Sequence, residues 1–462
     1  MNPEERGKIT RLSMLHSASS TFVTKFQDRF MTPFVVALGA TAFELGLLKA
    51  LSQFFATVLQ LLSSRAVDFF QNRKIIVIAA DLVQAAFWIP LIFVALWYHN
   101  ITFLIVITIF ITILEAFWIP PWSSWMGDLI SENERGIFFG KYARVGQIVT
   151  FLTTVLAFFI IEHFEKAGNV LVGFALLLGF VAVADIFSSV MILFTYEPKY
   201  VYQKEHYFSL WQFLKRSPKN NFGRFTWFTF FLYFGLFIGG PFLSFHLIVN
   251  MGYTFAEVTA LIVISTLVSV FSSVYWGSHA DKFGNKTILF ATGILQAVKP
   301  LLWMIPGPFW YFAVVFAING FPDPGIELAA SNYIYDAVTP QKRARVVAYW
   351  NFLKGIAAVL GALLGGYLAS SLPTFWIFAF PAQSLFLLSA VIRTIPLFVF
   401  YPLIREVRIQ EPKKGVNVLL QLSTLEPANM VFSTILLSVK RTRSRVGSTV
   451  KNVGDHIRKK KE

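Results

Sequence analysis

Twelve long apolar stretches constrain the fold of this 462-residue chain more than any other feature of its sequence. A helix needs about 20 mostly apolar residues to cross the hydrocarbon core of a bilayer, and each stretch is about that long. Segments as short as 98–99 and 306–307 separate neighbouring stretches, as antiparallel neighbours require. We therefore predict an all-α membrane protein with twelve transmembrane helices. The predicted helices cover residues 13–40, 44–64, 75–97, 100–126, 141–161, 168–195, 225–250, 256–276, 287–305, 308–334, 346–370 and 374–402.

The composition supports the same class and excludes several others. Hydrophobic residues make up 56% of the chain and charged residues 14%, whereas soluble domains contain about 45–50% and about 25%. The chain has no cysteine, which excludes disulfides and thiolate-bound metals. Its seven histidines show no spacing typical of metal ligands. We therefore expect no cofactor, no metal site and no enzymatic activity.

Two further sequence features bear on how the protein works. A phosphate-binding loop of the G-x-x-x-x-G-K-(S/T) type does not occur in the sequence, so we do not expect ATP to drive it. The first apolar stretch is too long for a cleaved signal peptide and carries Lys25, Asp28 and Arg29. We therefore expect it to remain in the protein as the first helix.

The distribution of basic residues predicts the orientation of the chain. The net charge is +15, with 40 basic residues against 25 acidic ones. With the N-terminus inside, 33 of the 40 basic residues fall on the inner side, and the outer loops are assigned only Lys49 and Lys166. Because cytoplasmic loops carry an excess of Lys and Arg, we predict a multi-pass plasma membrane protein with both termini in the cytoplasm. The five other basic residues lie within predicted helices: Lys25, Arg29, Lys299, Lys354 and Arg393.

The longest internal polar segment, 196–224, divides the chain into two sets of six helices. We predict an N-terminal bundle at 1–195, a cytoplasmic linker at 196–224, a C-terminal bundle at 225–402 and a basic cytoplasmic tail at 403–462. The tail carries 13 basic and 5 acidic residues, and its valines recur on one face of a possible helix. Such a helix is attracted to anionic lipid. No nucleic-acid-binding module is present, and we expect a monomer.

The two halves share a pattern that indicates internal duplication, as is common in secondary transporters. A shift of 208 residues places several unusual residues of the first half on similar residues of the second. The matched pairs are Pro33 with Pro241, Glu115 with Asp323, Asp128 with Asp336 and Arg135 with Arg343, and Asp68 matches Asp281 at a shift of 213.

Two predicted cytoplasmic loops carry a more specific motif. The loop between predicted helices 8 and 9 reads G-S-H-A-D-K-F-G-N-K over 277–286, and the loop between helices 2 and 3 reads S-R-A-V-D-F-F-Q-N-R-K over 64–74. Both resemble the G-x-x-x-D-(R/K)-x-G-(R/K)-(R/K) loop of the major facilitator superfamily. The first copy has Ser64 and Gln71 in place of the glycines and Asn72 in place of a basic residue.

The loops after predicted helices 4 and 10 resemble another segment of the same superfamily, in which an aspartate precedes an arginine, with or without a proline. The resemblance covers about 13–402, and the stretch 331–340 is similar to a prokaryotic or archaeal branch without an assigned substrate. It implies two six-helix bundles that gate a central cavity. The gating residues it implies are Asp68, Arg73, Asp128, Arg135, Gly277, Asp281, Gly284, Lys286, Asp336 and Arg343.

Charged residues inside the predicted helices are the candidate site. A charge at the centre of the bilayer costs at least about 2.5–3.5 kcal/mol, so such residues usually face protein or a water-filled cavity. In the superfamily, helices 1, 4, 7 and 10 line the cavity, and the candidates lie on those helices. Two readings stay open, a substrate and proton cavity or a static network in which Lys25 pairs with Asp28 or Glu115. The candidates are Lys25, Asp28, Arg29, Glu115, His246, Asp323 and Glu327.

Local sequence in the second half predicts two irregular features. Prolines at 322 and 324 flank Asp323 and precede Gly325, which predicts a broken or kinked helix 10. Such a break marks a binding site in many transporters, although a simple packing kink is the alternative. Lys299, near the outer end of helix 9, is expected to reach the membrane interface. Helix 11 presents a small-residue face suited to close packing, with Gly355, Gly361, Gly365 and Gly366.

These features favour a secondary active transporter that moves a small solute by alternating access. We expect proton coupling, with the direction unresolved and a lean toward export. The expected partners are a small-molecule substrate, protons and the lipid bilayer. Two alternatives on the same fold remain open, a non-transporting receptor or scaffold and a lipid-translocating protein.

Overall fold

The computed structural model describes residues 3–130, 132–198, 209–372 and 378–407, and these are helical almost throughout, with no strand among them. The predicted tail, apart from its first residues, lies outside this described part of the chain, as does the segment 199–208 of the predicted linker. The first half contains six long helices. They are α1 (Pro3–Ala37), α2 (Ala42–Phe70), α3 (Arg73–Leu96), α4 (Ile101–Leu129), α5 (Glu132–Lys166) and α6 (Val170–Leu193).

The second half follows a short helix at Leu210–Arg216. Its first span, α7, runs from Asn221 to Asn250 and ends in a π-helical turn at His246–Asn250. Helix α10 has two segments, Phe309–Gly320 and Asp323–Ala337. The remaining helices are α8 (Phe255–Phe283), α9 (Asn285–Trp303), α11 (Pro340–Ser371) and α12 (Pro381–Val399).

Each of the twelve predicted ranges therefore contains helix. Within the described residues, nine helices are long and apolar enough to cross a membrane, so the chain is a multi-pass membrane protein. The helices outside those nine are α1, α9 and α10. Helix α10 is interrupted and has segments of only 12 and 15 residues. Helices α1 and α9 carry several charged or polar side chains.

Short polar residues start many of these helices, which explains why the boundaries follow the sequence closely. Thr41 and Glu44 form a reciprocal capping box at the start of α2, and Thr254 forms the same arrangement with Glu257 at α8. The side chain of Asn72 accepts a hydrogen bond from the backbone of α3. Such caps satisfy backbone N–H groups that have no partner within the helix.

Each half has its own apolar core. In the first half, Phe26, Phe34 and Trp88 are completely buried where α1, α3 and α6 pack together. In the second half, Phe225 and Trp276 are buried in the same way. Two large polar groups beside these cores have partners: the Trp88 indole donates to Asp185 at 2.7 Å, and the Arg393 guanidinium donates to the Gln296 carbonyl at 2.9 Å. Burial of a polar group without such a partner would be costly.

The two halves contact each other through α2 against α11 and α5 against α8. A Cβ atom on Gly46 would lie 2.6 Å from Cα of Gly366, and one on Gly355 would lie 2.1 Å from Oγ1 of Thr57. A Cβ atom on Gly361 or on Gly365 would lie 2.4 Å from a backbone carbonyl oxygen of α7. The predicted close packing of the glycine face of α11 is thus confirmed.

Candidate functional site

A polar cavity of about 730 Å³ lies between the two halves. Residues of α1, α2, α4, α7, α8 and α10 line it, which agrees with the expectation for helices 1, 4, 7 and 10 and adds α2 and α8. Asp28, Arg29, Glu115 and Asp323 line this cavity. Four of the seven candidate residues therefore share one space, although they are far apart in the sequence.

One face of α2 supplies much of the polar lining. Lys49, Ser52, Gln53, Thr57 and Gln60 all line the cavity. Apart from the adjacent Ser52 and Gln53, they follow one another at three or four residues, which places them on one side of a helix. Lys49 was assigned to the outer loops from the sequence. That assignment was wrong, because Lys49 lies seven residues inside α2, which is about 10 Å along the helix.

The charged residues of the first half are only partly paired. The Lys25 ammonium lies 2.9 Å from the Asp28 carboxylate, so one of the two pairings proposed for Lys25 is present. Arg29 donates to the hydroxyl of Thr266 on α8 and so connects the two halves. Glu115 has no hydrogen bond or ion pair with any side chain in the described part of the chain.

The predicted break in α10 is confirmed, and it positions Asp323. The first segment ends at Gly320 and the second begins at Asp323. The Trp276 indole donates to the Phe321 carbonyl at 2.7 Å, which satisfies a backbone group that the break leaves without a helical partner. A Cβ atom on Gly320 would lie 2.0 Å from the Ser265 carbonyl oxygen, so the glycine allows α10 to approach α8.

Two side chains of α9 hold Asp323 in place. Its carboxylate accepts hydrogen bonds from Lys299 at 2.7 Å and from Gln296 at 2.8 Å. Lys299 also donates to the Asn319 carbonyl at 3.0 Å and is only 5% exposed. The prediction that Lys299 reaches the membrane interface was therefore wrong, because a carboxylate and a freed carbonyl bind it inside the protein.

Three other candidates lie outside the cavity lining. Lys25 reaches the cavity only through its pair with Asp28. Glu327 accepts a hydrogen bond from the Tyr233 hydroxyl and lies 3.8 Å from the Lys354 ammonium, between α7 and α11. His246 is 1% exposed and contacts the rings of Phe380 and Phe386, at 5.4 Å from each.

The loop between α2 and α3 is organised around Arg73, whose side chain is completely buried. Its guanidinium lies 2.5 Å from the Asp128 carboxylate at the end of α4 and 3.5 Å from Glu197. Glu197 also accepts the backbone N–H of Arg73 at 2.8 Å. Arg73 and Asp128, two of the predicted gating residues, are thus brought together with Glu197, which is not among the predicted gating residues.

The loop between α8 and α9 repeats this arrangement. Glu406 accepts the backbone N–H of Lys286 at 2.7 Å, and the Asn285 amide donates to Asp336 at 2.8 Å. Lys286 follows Arg73 by 213 residues and Glu406 follows Glu197 by 209, so equivalent positions make equivalent bonds. A search for acidic pairs at the repeat spacing after the sixth and twelfth helices would have found both glutamates.

The glycine positions of the two loops differ in their structural demands. Gly284 has φ 85°, and Gln71, its counterpart, has φ 51°, so both copies use the left-handed region that favours glycine. Gly277 has room for a side chain, since the nearest atom to an added Cβ is 4.0 Å away.

The other predicted gating residues differ in their surroundings. Arg343 donates to the carbonyls of Tyr335 and Val338 at 3.1 and 3.3 Å, and Asp281 is exposed. The side chains of Asp68 and Arg135 lie outside the described residues. Among the residues that the structure does describe, no group of three or more His, Asp or Glu side chains could hold a metal ion.

Two similar helical halves around a polar cavity define the fold of a multi-pass membrane transporter. The chain belongs to the Major Facilitator Superfamily, whose family model matches residues 18–254 and again 225–439. The two overlapping matches agree with the two repeats. The resemblance noted in the sequence is thereby confirmed.

Curated relatives match over a shorter segment. A Na(+), Li(+), K(+)/H(+) antiporter of Planococcus maritimus is 28% identical over 133 residues, which are 28% of this chain and 31% of that protein. The uncharacterized MFS-type transporter YqjV of Bacillus subtilis (strain 168) is 28% identical over 134 residues, or 29% and 33% of the two chains. The match spans about a third of the length of each relative.

Solved structures match over most of the chain. The nucleoside transporter NupG is 14% identical with a TM-score of 0.63, and the match covers 87% of this chain and 99% of that one. A D-xylose-proton symporter is 12% identical with a TM-score of 0.67, over 87% and 98% of the two chains. At these identities, the likeness shows a shared fold.

Proposed function

We propose that the protein is a secondary active transporter that moves a small polar solute by alternating access. The observation that carries this proposal is the polar cavity, which both halves line at the place where the two repeats meet. In this proposal, residues 1–195 and 225–402 act as two bundles that rock about the cavity, and 196–224 links them. All twelve helices cross the membrane, and both termini lie in the cytoplasm.

Proton coupling is the second part of the proposal, with Glu115 as its main residue. Glu115 lines the cavity and has no salt-bridge partner among the described residues. It can therefore gain and lose a proton without breaking an ion pair, unlike Asp28 and Asp323, which are bound to lysines. A carboxylate in such surroundings responds to the charges around it, so solute binding and protonation can influence each other.

The matched cytoplasmic loops are proposed to stabilise one state of the cycle. Arg73 with Asp128 and Glu197 holds the ends of α3, α4 and α6 together. Asn285 with Asp336, and Lys286 with Glu406, play the same part in the second half. Each bundle then moves as one body because its own helix ends are joined.

Reconstituted vesicles containing a trapped pH-sensitive dye test the transport proposal. We expect at least one solute from a panel of small polar compounds to move protons across the membrane, and only in vesicles that contain the protein. The sign of the proton movement distinguishes symport, which imports a solute when the proton gradient points into the cell, from antiport, which exports it. The sequence leans toward export. Vesicles made with labelled lipid are the control: lipid translocation without proton movement would support the lipid-translocating alternative, and neither activity would support a receptor.

A further inference from the structure

The acids around the cavity are neutralised to different degrees. Asp28 lies 2.9 Å from the Lys25 ammonium, and Asp323 lies 2.7 Å from that of Lys299. Each of these two acids therefore has a cation of its own, and each pair adds no net charge to the cavity. The charge that a solute meets is set by the groups that remain.

The remaining groups are Arg29, Lys49 and Glu115, all of which line the cavity. Arg29 donates to the neutral hydroxyl of Thr266, although a guanidinium has five N–H donors. Lys49 makes no hydrogen bond or ion pair with any described residue. Two cations thus face one acid, so the unpaired charge of the lining is positive even when Glu115 is ionised.

A second, independent observation is that some polar atoms of the same lining have no hydrogen-bond partner in the described part of the chain. The hydroxyl oxygens of Ser52 and Thr108 have no hydrogen-bond partner within the described residues, although the two residues are only 7% and 3% exposed. Ser52 lies three residues from Lys49 on the cavity face of α2. Most buried hydroxyl groups have a partner, and these two belong to residues of the cavity lining, where a bound polar ligand would supply one.

We propose that the cavity binds a solute with a carboxylate or phosphate group, and that Arg29 and Lys49 bind this group together with the Ser52 hydroxyl. Arginine suits such groups because its planar guanidinium can donate two parallel hydrogen bonds. The cavity volume of about 730 Å³ falls within the range of about 300–1,000 Å³ that is usual for small-molecule sites. This inference rests on the proposed function and names the class of solute for the same cavity.

Thermal stability of the purified protein with matched solutes tests the inference. The probes are gluconate, glucose and glucosamine, which share a six-carbon skeleton and differ in charge, together with the pairs succinate and succinamide, and glycerol phosphate and glycerol. A ligand that binds the folded state raises its melting temperature. We expect an anion to raise it at millimolar concentration, and its neutral or cationic counterpart to have little effect.

Variants at Lys49 identify the site. We expect Lys49→Met to weaken binding of the stabilising anion about tenfold or more, which is typical of the loss of a charged hydrogen bond, and Lys49→Arg to retain most of the binding. Lys166→Met is the matched control, because Lys166 is exposed and pairs with Glu162. Melting without solute shows whether each variant folds.

The outcomes separate this inference from the proposed function. Anion binding that Lys49→Met weakens and Lys49→Arg preserves supports the inference, even if no vesicle assay shows transport. The inference is overturned if a neutral or cationic solute stabilises the protein as much as the matching anion, or more. It is also overturned if no anion stabilises the protein. If no anion stabilises the protein but a solute still drives proton movement, the proposed function stands and only the proposed class of solute is wrong.

Discussion

The ammonium of Lys299 lies 2.7 Å from the carboxylate of Asp323, and the two side chains differ sharply in exposure, at 7% and 54%. Lys299 is enclosed by protein, whereas Asp323 faces the cavity. Loss of either partner therefore leaves a charge in a different environment. A buried charge without a partner is far more costly than one that water can reach.

We expect Asp323→Ala to lower the free energy of unfolding by about 3 kcal/mol, because it leaves Lys299 buried without a counter-ion. We expect Lys299→Met to cost about 1 kcal/mol, because the cavity solvates Asp323 and Met preserves the apolar stem. Denaturant unfolding in detergent measures both, and the double variant should lose less than Asp323→Ala alone. Lys25→Met is the control, since its pair with Asp28 is solvent-accessible and should contribute little. Equal losses from both single variants would contradict this account.

Substitutions at the left-handed residues of the two matched loops should have opposite effects on stability. Gly284 has φ 85°, and an added Cβ would lie 2.5 Å from the Glu406 carboxylate, so Gly284→Ala should cost about 2 kcal/mol or more. Gln71 already adopts φ 51° at a steric cost of about 1–2 kcal/mol. Gln71→Gly removes that cost but adds freedom to the unfolded chain, so stability should change by less than about 1 kcal/mol, toward stabilisation. Melting curves of both variants test this, and marked destabilisation by Gln71→Gly would contradict it.

The helices could be predicted from the sequence because their signals are local. Apolar length identified each range, and capping residues such as Thr41 and Thr254 fix starts within a few positions. The break at Asp323 was also predictable, because two prolines and a glycine surround it. The identity of the cavity helices came from the resemblance to a family rather than from any local pattern.

The charge balance of the cavity could not be predicted in the same way. Depth along a helix can be counted from the sequence, but the direction of a side chain around the helix depends on packing. Lys49 and Lys299 both lie inside helices at the predicted outer end, and both turn inward, Lys49 to the cavity and Lys299 to Asp323. A sum over Lys25, Asp28, Arg29, Glu115, Asp323 and Glu327 is negative. Adding Lys49 and Lys299 brings it to zero, and adding Lys354, which lies beside Glu327, makes it positive.

Glu165 at the end of α5 joins the two halves on the predicted outer side. Its carboxylate accepts the backbone N–H groups of Phe255 and Ala256 at the start of α8, at 2.8 Å each. Hydrogen bonds to a charged acceptor contribute about 1.5–3 kcal/mol each. We expect Glu165→Ala to weaken closure of this side and to raise outside labelling of the cavity variant Ser244→Cys at least tenfold.

The absence of native cysteine makes that measurement direct, because a membrane-impermeant maleimide reacts only with the introduced thiol. Lys166→Ala is the matched control, since Lys166 adjoins Glu165 but pairs with Glu162 within α5. It should leave the labelling rate unchanged. An unchanged rate in Glu165→Ala would show that the contact does not hold the outer side closed.

Glu115 is the acid whose neutralisation should separate solute binding from proton movement. Glu115→Gln removes the negative charge of an ionised Glu115 and keeps the shape of the side chain, so binding of an anion should tighten severalfold at pH values where Glu115 is ionised, because a repulsive charge is lost. The same variant cannot exchange a proton at this position, so solute-driven proton movement in dye-loaded vesicles should fall to the level of protein-free vesicles. Glu162→Gln, a change at the end of α5 near the surface, is the control and should retain wild-type proton movement. Full proton movement in Glu115→Gln would assign the coupling to another acid, and weaker anion binding would mean that Glu115 contacts the solute itself.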